Sequence, residues 1–200
     1  MNQISTIQYK GKPLKEDLQG WNSFNGIFDG IIHDIKPTTI IEVGTWKGAS
    51  AINMARICYR LGLDTKIYCV DTWLGALEFW TTHKETQERD LMLKNGYPSI
   101  YNQFISNVIH NNAQDYIIPV PNTSFIGAKI LQHYGVKAEL IYIDGSHEYE
   151  DVLSDIKSYK ELCTGVMFGD DYNWPSVQRA VNDSLKNIQI VDNFWIWRAR

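Results

Sequence analysis

The sequence predicts an α/β domain: a mostly parallel β-sheet with helices on both faces. Three observations predict it. Short runs rich in β-branched and aromatic residues recur without the alternation of a half-exposed strand, so each reads as a strand buried on both faces. Segments of helical period separate them, which makes the stretches between strands crossovers joining parallel neighbours. No low-complexity tract, repeat or Pro/Gly/Ser-rich linker interrupts the 200 residues, a length suited to one sizeable core. A single domain over residues 1–200 is expected, with residues 1–20 as a polar N-terminal arm.

The elements follow in order. "TIIEV" (39–43) is a short buried strand ended by glycine, and "GASAINMARICYRLG" then places Ile52, Ala55, Ile57 and Leu61 mostly on one helical face. "KIYCVD" (66–71) is a second buried strand. A long polar and aromatic segment, 74–112, contains Phe79, Trp80, Tyr97 and Tyr101. It is too long for a simple connection, and long insertions above strand ends are commonly lids. "DYIIPV" (115–120), "ELIYID" (139–144) and "GVMFGD" (165–170) are further strands. Between them "SFIGAKILQHYG" and "EYEDVLSDIKSYKELC" have helical period, and "SVQRAVNDSLK" is another helix. "IQIVDNFWIWRAR" alternates like an antiparallel terminal hairpin.

Composition excludes several functions. A 44% hydrophobic and 21% charged chain is ordinary for a soluble protein, and a net charge of −4 with no basic run does not suggest nucleic acid as a partner. No apolar stretch approaches the roughly 20 residues that span a bilayer. The polar start, "MNQISTIQYKGKPLKEDLQ", lacks a signal-peptide core, so a cytoplasmic setting is expected. Cys58, Cys69 and Cys163 are odd in number and far apart, which implies neither a disulfide framework nor a zinc site.

Ligands of such sheets bind outside the carboxyl ends of the strands. Glu42, Asp71, Asp144 and Asp170 all stand at those ends. A solvated turn explains any one of them, but together they exceed what solvation asks for. "EVGTWKG" (42–48) is a strand end, a glycine turn and a helix start, without the G-x-G-x-x-G that admits a pyrophosphate. Glu42 would repel a phosphate there and favour a cationic or hydroxyl-bearing ligand. Asp71, ending the second strand, stands where a carboxylate grips ribose hydroxyls.

"IIEVGTWKGAS", "VDTWLG", "IDGSHEYEDVLSDI" and "VMFGDDYNW", in this order, resemble the class I S-adenosylmethionine-dependent methyltransferases, and within them the small metal-dependent O-methyltransferases of the catechol and macrocin (sugar) type. The likeness runs from about residue 38 to 185. It implies a Rossmann-like methyltransferase fold, a seven-stranded sheet whose last strand is antiparallel. It also implies that Glu42, Gly44 and Gly48 line the methionine and ribose part of S-adenosylmethionine, with Ser50 among the cofactor contacts. Asp71 would hold the ribose diol, Trp73 would flank the adenine, and "PNTSF", with Asn122, Thr123 and Ser124, would face it.

In that fold the tips of "LIYID" and "VMFGD" converge, and Asp144 joins Asp170 and Asp171 as a third oxygen ligand. Adjacent strand residues point to opposite faces, so the pair can share an ion only if the strand has already turned, which Gly169 eases. Three hard oxygen ligands suit Mg²⁺ or Mn²⁺, with Ca²⁺ also admitted. Metal-bound neighbouring hydroxyls of a sugar or polyphenol-like diol would then be acidified for methyl transfer. His147 stands three residues beyond Asp144, where catechol-type enzymes carry lysine, and an imidazole with a pKa of about 6.5 suits a general base. Macrocin-type enzymes often carry "DGD" here, and this chain has Ser146 in place of the second acid. Alternatives are a metal-independent methyltransferase acting on an amine or carboxylate, a nicotinamide-dependent oxidoreductase, and a non-catalytic cofactor-binding module. A small-molecule hydroxyl substrate is expected, with Trp174 as a wall, no membrane partner, and an N-terminal arm able to pack on a second copy of the chain.

Overall fold

The computed structural model describes residues 12–199. In chain order the elements are α1 (Gly26–Ile35), β1 (Thr39–Val43), α2 (Ala49–Arg60), β2 (Lys66–Asp71), α3 (Leu77–Trp80), α4 (Lys84–Asp90), α5 (Ile100–His110), β3 (Ile117–Pro121), α6 (Ser124–His133), β4 (Ala138–Ile143), α7 (Tyr149–Lys160), β5 (Cys163–Gly169), α8 (Pro175–Ser184), β6 (Gln189–Val191) and β7 (Phe194–Arg198). The seven strands form one sheet in the order β3-β2-β1-β4-β5-β7-β6. All pairings from β3 to β5 are parallel, and β7 is antiparallel to both its neighbours. The expected seven-stranded sheet with an antiparallel last strand is therefore present. No helix of the described residues is long and apolar enough to cross a membrane.

Strand residues alternate between two cores. Ile40, Ile67 and Tyr142 join α1, α2 and α5 on one face, while Ile41, Val70 and Ile141 join α6, α7 and α8 on the other. That sheet buried on both sides explains the unalternating apolar runs. Helix α1 was not foreseen, although its signals are local. Asn25 caps it by accepting from the Ile27 N–H, Phe28, Ile31 and Ile32 are its buried face, and left-handed Lys36 ends it before a proline.

The 74–112 segment divides. Leu91, Ile100, Phe104 and Val108 are fully buried in the first core, so its second half is core helix rather than lid. Helix propensity of the apolar face of α5 decided this, at i, i+4 and i+8. Only α3 and α4, which bury no residue, remain as candidates to cover the site. Of the N-terminal arm, residues 1–11 lie outside the described residues. Residues 14–17 run across the polar side of α5, where fully buried Asn107 accepts from Asp17 N–H and donates to the Asp17 carbonyl.

Candidate active site

The first half of the site is built by the loops after β1 and β2. Gly44 has φ 84°, and a side chain there would begin 2.1 Å from the Asp144 carbonyl oxygen, so only glycine lets β1 and β4 end side by side. Gly48, at φ 85°, faces the Phe104 ring in the same way. Both glycines thus make room for protein, Gly44 for the end of β4 and Gly48 for the Phe104 ring of α5.

Asp71 ties these loops together. One carboxylate oxygen accepts from the Thr45 and Trp46 N–H groups at 2.8 Å each, and the other from the Trp73 N–H at 2.6 Å. Burial raises its pKa, and the backbone donors oppose that rise. Trp73 departs from expectation. Its ring is 3% exposed, packed on Tyr101 and Phe104, and its Nε1–H donates to the Trp46 carbonyl. A ring held in the core offers no open face to an adenine.

Glu42 is fully buried, with one oxygen accepting from the Ser50 hydroxyl at 2.5 Å. Among the described residues its Oε2 and the Thr45 hydroxyl make no hydrogen bond of good geometry, although Thr45 and Cys69 stand close enough to oppose the rise of its pKa. Loss of water pushes the Glu42 pKa up to about 8, and the Asp144 charge adds to the rise. Buried polar atoms without partners are rare because each forfeits its hydration. Ser124 opens α6, but its hydroxyl donates inward to Asp155, whose pKa burial raises to about 6.

The second half is built by the ends of β4 and β5. Asp144 accepts from the Tyr142 hydroxyl at 2.8 Å, and desolvation raises its pKa to about 7, with Asp170 and Asp171 adding repulsion. Asp170 accepts from Asn22 Nδ2 at 2.9 Å, from Asn193 Nδ2 at 2.9 Å and from the Asp171 N–H at 2.7 Å. Asp171 accepts from Asn193 at 3.3 Å and lies 2.8 Å from His147 Nε2. The turn that brings both acids to one side comes from Asp171 itself, at φ 59°. Gly169 stays in the strand, where a Cβ would meet the Ile143 carbonyl and the Trp195 ring.

The expected metal trio is not assembled in this arrangement. Tyr142, Asn22, Asn193 and His147 take the carboxylate oxygens, and among the described residues no three His, Cys, Asp or Glu side chains form a metal-holding group. The three acids do border one small cavity of about 10 Å³, together with His147. Ser146 donates to Asp151 and accepts from the Glu148 N–H, which fixes it as a support for the start of α7.

His147 is the group with chemical freedom. Asp171 holds Nε2, Glu78 of α3 stands 3.3 Å from Nδ1, and the ring stacks on Trp174 at 4.6 Å and 15°. The Asp171 hydrogen bond raises the imidazole pKa. Trp174 is 48% exposed. On the other side of the rim, Trp46 and Phe79 stack at 4.6 Å, with Trp21 tilted against both. Sequence reasoning missed Asn22, Glu78, Tyr142 and Asn193. Only Tyr142, two residues before Asp144 and so on its side of the strand, carried a local signal.

Comparison with known proteins agrees with this architecture. A family model described as a methyltransferase domain matches residues 41–172. An uncharacterized protein of Acanthamoeba polyphaga mimivirus is 27% identical over 195 residues, covering 90% of this chain and 76% of that one. Two solved structures share the fold. The O-methyltransferase from Bacillus cereus in complex with SAH has a TM-score of 0.61 at 12% identity, over 94% of this chain and 84% of that one. The O-methyltransferase TomG from Streptomyces achromogenes, involved in tomaymycin synthesis and solved in complex with SAM, has a TM-score of 0.60 at 13% identity, over 90% and 81%. With most of its length matched by that family model, the chain belongs to the family of methyltransferase domains.

Proposed function

We propose that the protein is an S-adenosylmethionine-dependent O-methyltransferase acting on a hydroxyl of a ring-bearing small molecule, a sugar or a polyphenol-like diol. The observation that carries this reading is the Asp171–His147 pair at the strand-end rim, beside a buried glutamate with a free oxygen. The SAM and SAH bound to the two O-methyltransferase neighbours support the choice of cofactor. Glu42 Oε2 and the Thr45 hydroxyl, both closed to solvent here, would have to be uncovered to receive its cationic part. Asp71 has three of about four lone-pair sites filled by backbone, leaving one for a ribose hydroxyl.

S-adenosylmethionine supplies a methyl group already activated on sulfur. The chain has to align an oxygen and remove a proton. Asp171 fixes the Nε2–H of His147, so Nδ1 is the lone pair that accepts the acceptor's proton, as in other base–orienter pairs. The proton of the acceptor hydroxyl would pass to His147 Nδ1, and Asp171 would stabilise the imidazolium charge. The hydroxyl takes the place that Glu78 now holds. Trp174, stacked on the His147 ring and half exposed, borders that place with a surface suited to a flat or sugar ring.

A divalent-cation-assisted variant is favoured by one observation, the small cavity shared by Asp144, Asp170 and Asp171. It would draw on the lone pairs that the amide, phenol and imidazole partners leave open on those acids. Melting with Mg²⁺, Mn²⁺ or Ca²⁺, for wild type and Asp170→Asn, separates the two forms, because only a bound ion raises the wild-type midpoint selectively.

Calorimetry with S-adenosylhomocysteine and with NAD tests the cofactor, and transfer of labelled methyl to a panel of sugars, diols, amines and carboxylates tests the reaction. Binding of NAD in preference to S-adenosylhomocysteine would overturn the reading. Cofactor binding with no transfer to any hydroxyl would leave a binding module or a different acceptor class.

A further inference from the structure

The opposite rim of the sheet carries a second concavity. Because β7 is antiparallel to β5, Arg198 pairs with Val166 at the end of β5 remote from Asp170. A groove of about 530 Å³ opens there, within the roughly 300–1,000 Å³ typical of small-molecule sites. Lys160 from the end of α7, Lys186 after α8, and Trp197 and Arg198 of β7 line it, with Asn187 and Gln189 between them. No carboxylate is among its lining residues, although the whole chain carries a charge of −4.

These cations are weakly engaged. Lys160 Nζ lies 5.1 Å from the Trp197 ring centroid and 3.5 Å from the Ser184 carbonyl. Arg198 meets Asp34 at 3.3 Å, but both side chains are exposed, and such pairs contribute about 0–1 kcal/mol. Lys186 forms no ion pair among the described residues. Three like charges around one hollow repel each other, and a convex solvated face would hold them at less cost. Their convergence beside a half-buried indole matches a ligand with an anion and a flat ring.

We infer that this groove binds a nucleoside phosphate, its phosphates held by Lys186, Arg198 and Lys160, with Lys160 moving off the Trp197 ring so that the base takes its place. Arginine and lysine both suit phosphate oxygens, arginine through paired N–H donors. The site is separate from the proposed catalytic rim.

The probe is ATP, titrated calorimetrically at low salt with S-adenosylhomocysteine present in excess to occupy the other adenine-accepting site. Wild type should bind ATP, and more tightly than pyrophosphate. The double variant Lys186→Glu/Arg198→Gln should weaken ATP by about 10- to 100-fold, the worth of one charge-assisted hydrogen bond. Its S-adenosylhomocysteine affinity should be unchanged, which checks the fold. Trp197→Val should bring ATP down to the pyrophosphate level. If the double variant does not fold, Lys186→Glu alone, at an exposed position, reports a smaller loss of the same kind. No ATP binding by wild type, or binding that both charge variants retain, overturns the inference. Equal affinity for ATP and pyrophosphate removes the nucleoside from it. If S-adenosylhomocysteine fails to bind, the cofactor reading falls, while the charge variants still decide this one.

Discussion

Along the β1–β3 side of the rim, acids are held by their own neighbourhood. Asp71 takes three backbone N–H groups from the loops that follow β1 and β2, and Glu42 takes the hydroxyl of Ser50 on the next helix. Along the β4–β5 side, apart from the Asp171 N–H on Asp170, acids are held by side chains, several of them remote. Asn22 precedes α1, Asn193 lies between β6 and β7, and His147 lies late in the loop before α7. Backbone donors cannot rotate away, so the loops tied by Asp71 are preformed. Side-chain donors can exchange for a substrate hydroxyl or an ion, so the second half can change partners during a reaction. The division fits a rigid cofactor cradle beside an adaptable catalytic rim.

The sharpest way to break that contrast is at His147. His147→Ala should lower turnover by about 10²–10⁴-fold and leave S-adenosylhomocysteine affinity intact. The base acts when neutral, and Asp171 raises its pKa above the ordinary imidazole range, so the wild-type rate should rise with pH through that raised value. The variant should lose this limb. A limb retained at the same pH would assign the proton to another group.

Next in size is Glu42. Its pKa in the folded protein, about 8, is above the ordinary carboxylate value. A raised acid contributes stability below its unfolded pKa and loses it as pH climbs through the folded one. Glu42→Gln should therefore be the more stable protein at pH above 8, by on the order of a few kcal/mol in urea melts, and gain nothing near pH 4. The same substitution should weaken S-adenosylmethionine. Equal stability at both ends of the range would mean that the buried oxygen is satisfied.

Asp71→Ala follows, with S-adenosylhomocysteine affinity falling by roughly 1.5–3 kcal/mol and the melting point falling with it, since the same oxygens tie two loops. Affinity lost without stability would place Asp71 on the ligand alone. The smallest effect is expected for Asn193→Ala, about 0.5–1.5 kcal/mol for each hydrogen bond lost. It should move the pH limb of turnover without touching cofactor affinity, and an unmoved limb would uncouple Asn193 from the His147–Asp171 pair.

Most strand positions were legible because a sheet covered on both faces demands continuous apolar runs, and "TIIEV" and "KIYCVD" match β1 and β2 residue for residue. Helix α1 was legible but unread, since Asn25, Ile31, Ile32 and Pro37 form a local start, face and stop. The second half of the long aromatic segment misled because aromatic residues serve lids and cores alike. Phe104 went to the core because Gly48 leaves room for its ring.

The amino-acid sequence by itself determined the sheet, the crossovers and which acids end the strands, because periodicity and strand termini are local properties. It also brought His147 within a short loop of Asp144. Only the tertiary structure decided what each acid holds. Whether Asp170 meets an ion or the amides of Asn22 and Asn193 depends on residues far away in the chain, and no spacing encodes such a meeting. Likewise Trp73 is a core residue, and Asp171 rather than Gly169 makes the turn, because packing against α5 and β7 fixed the space available to each.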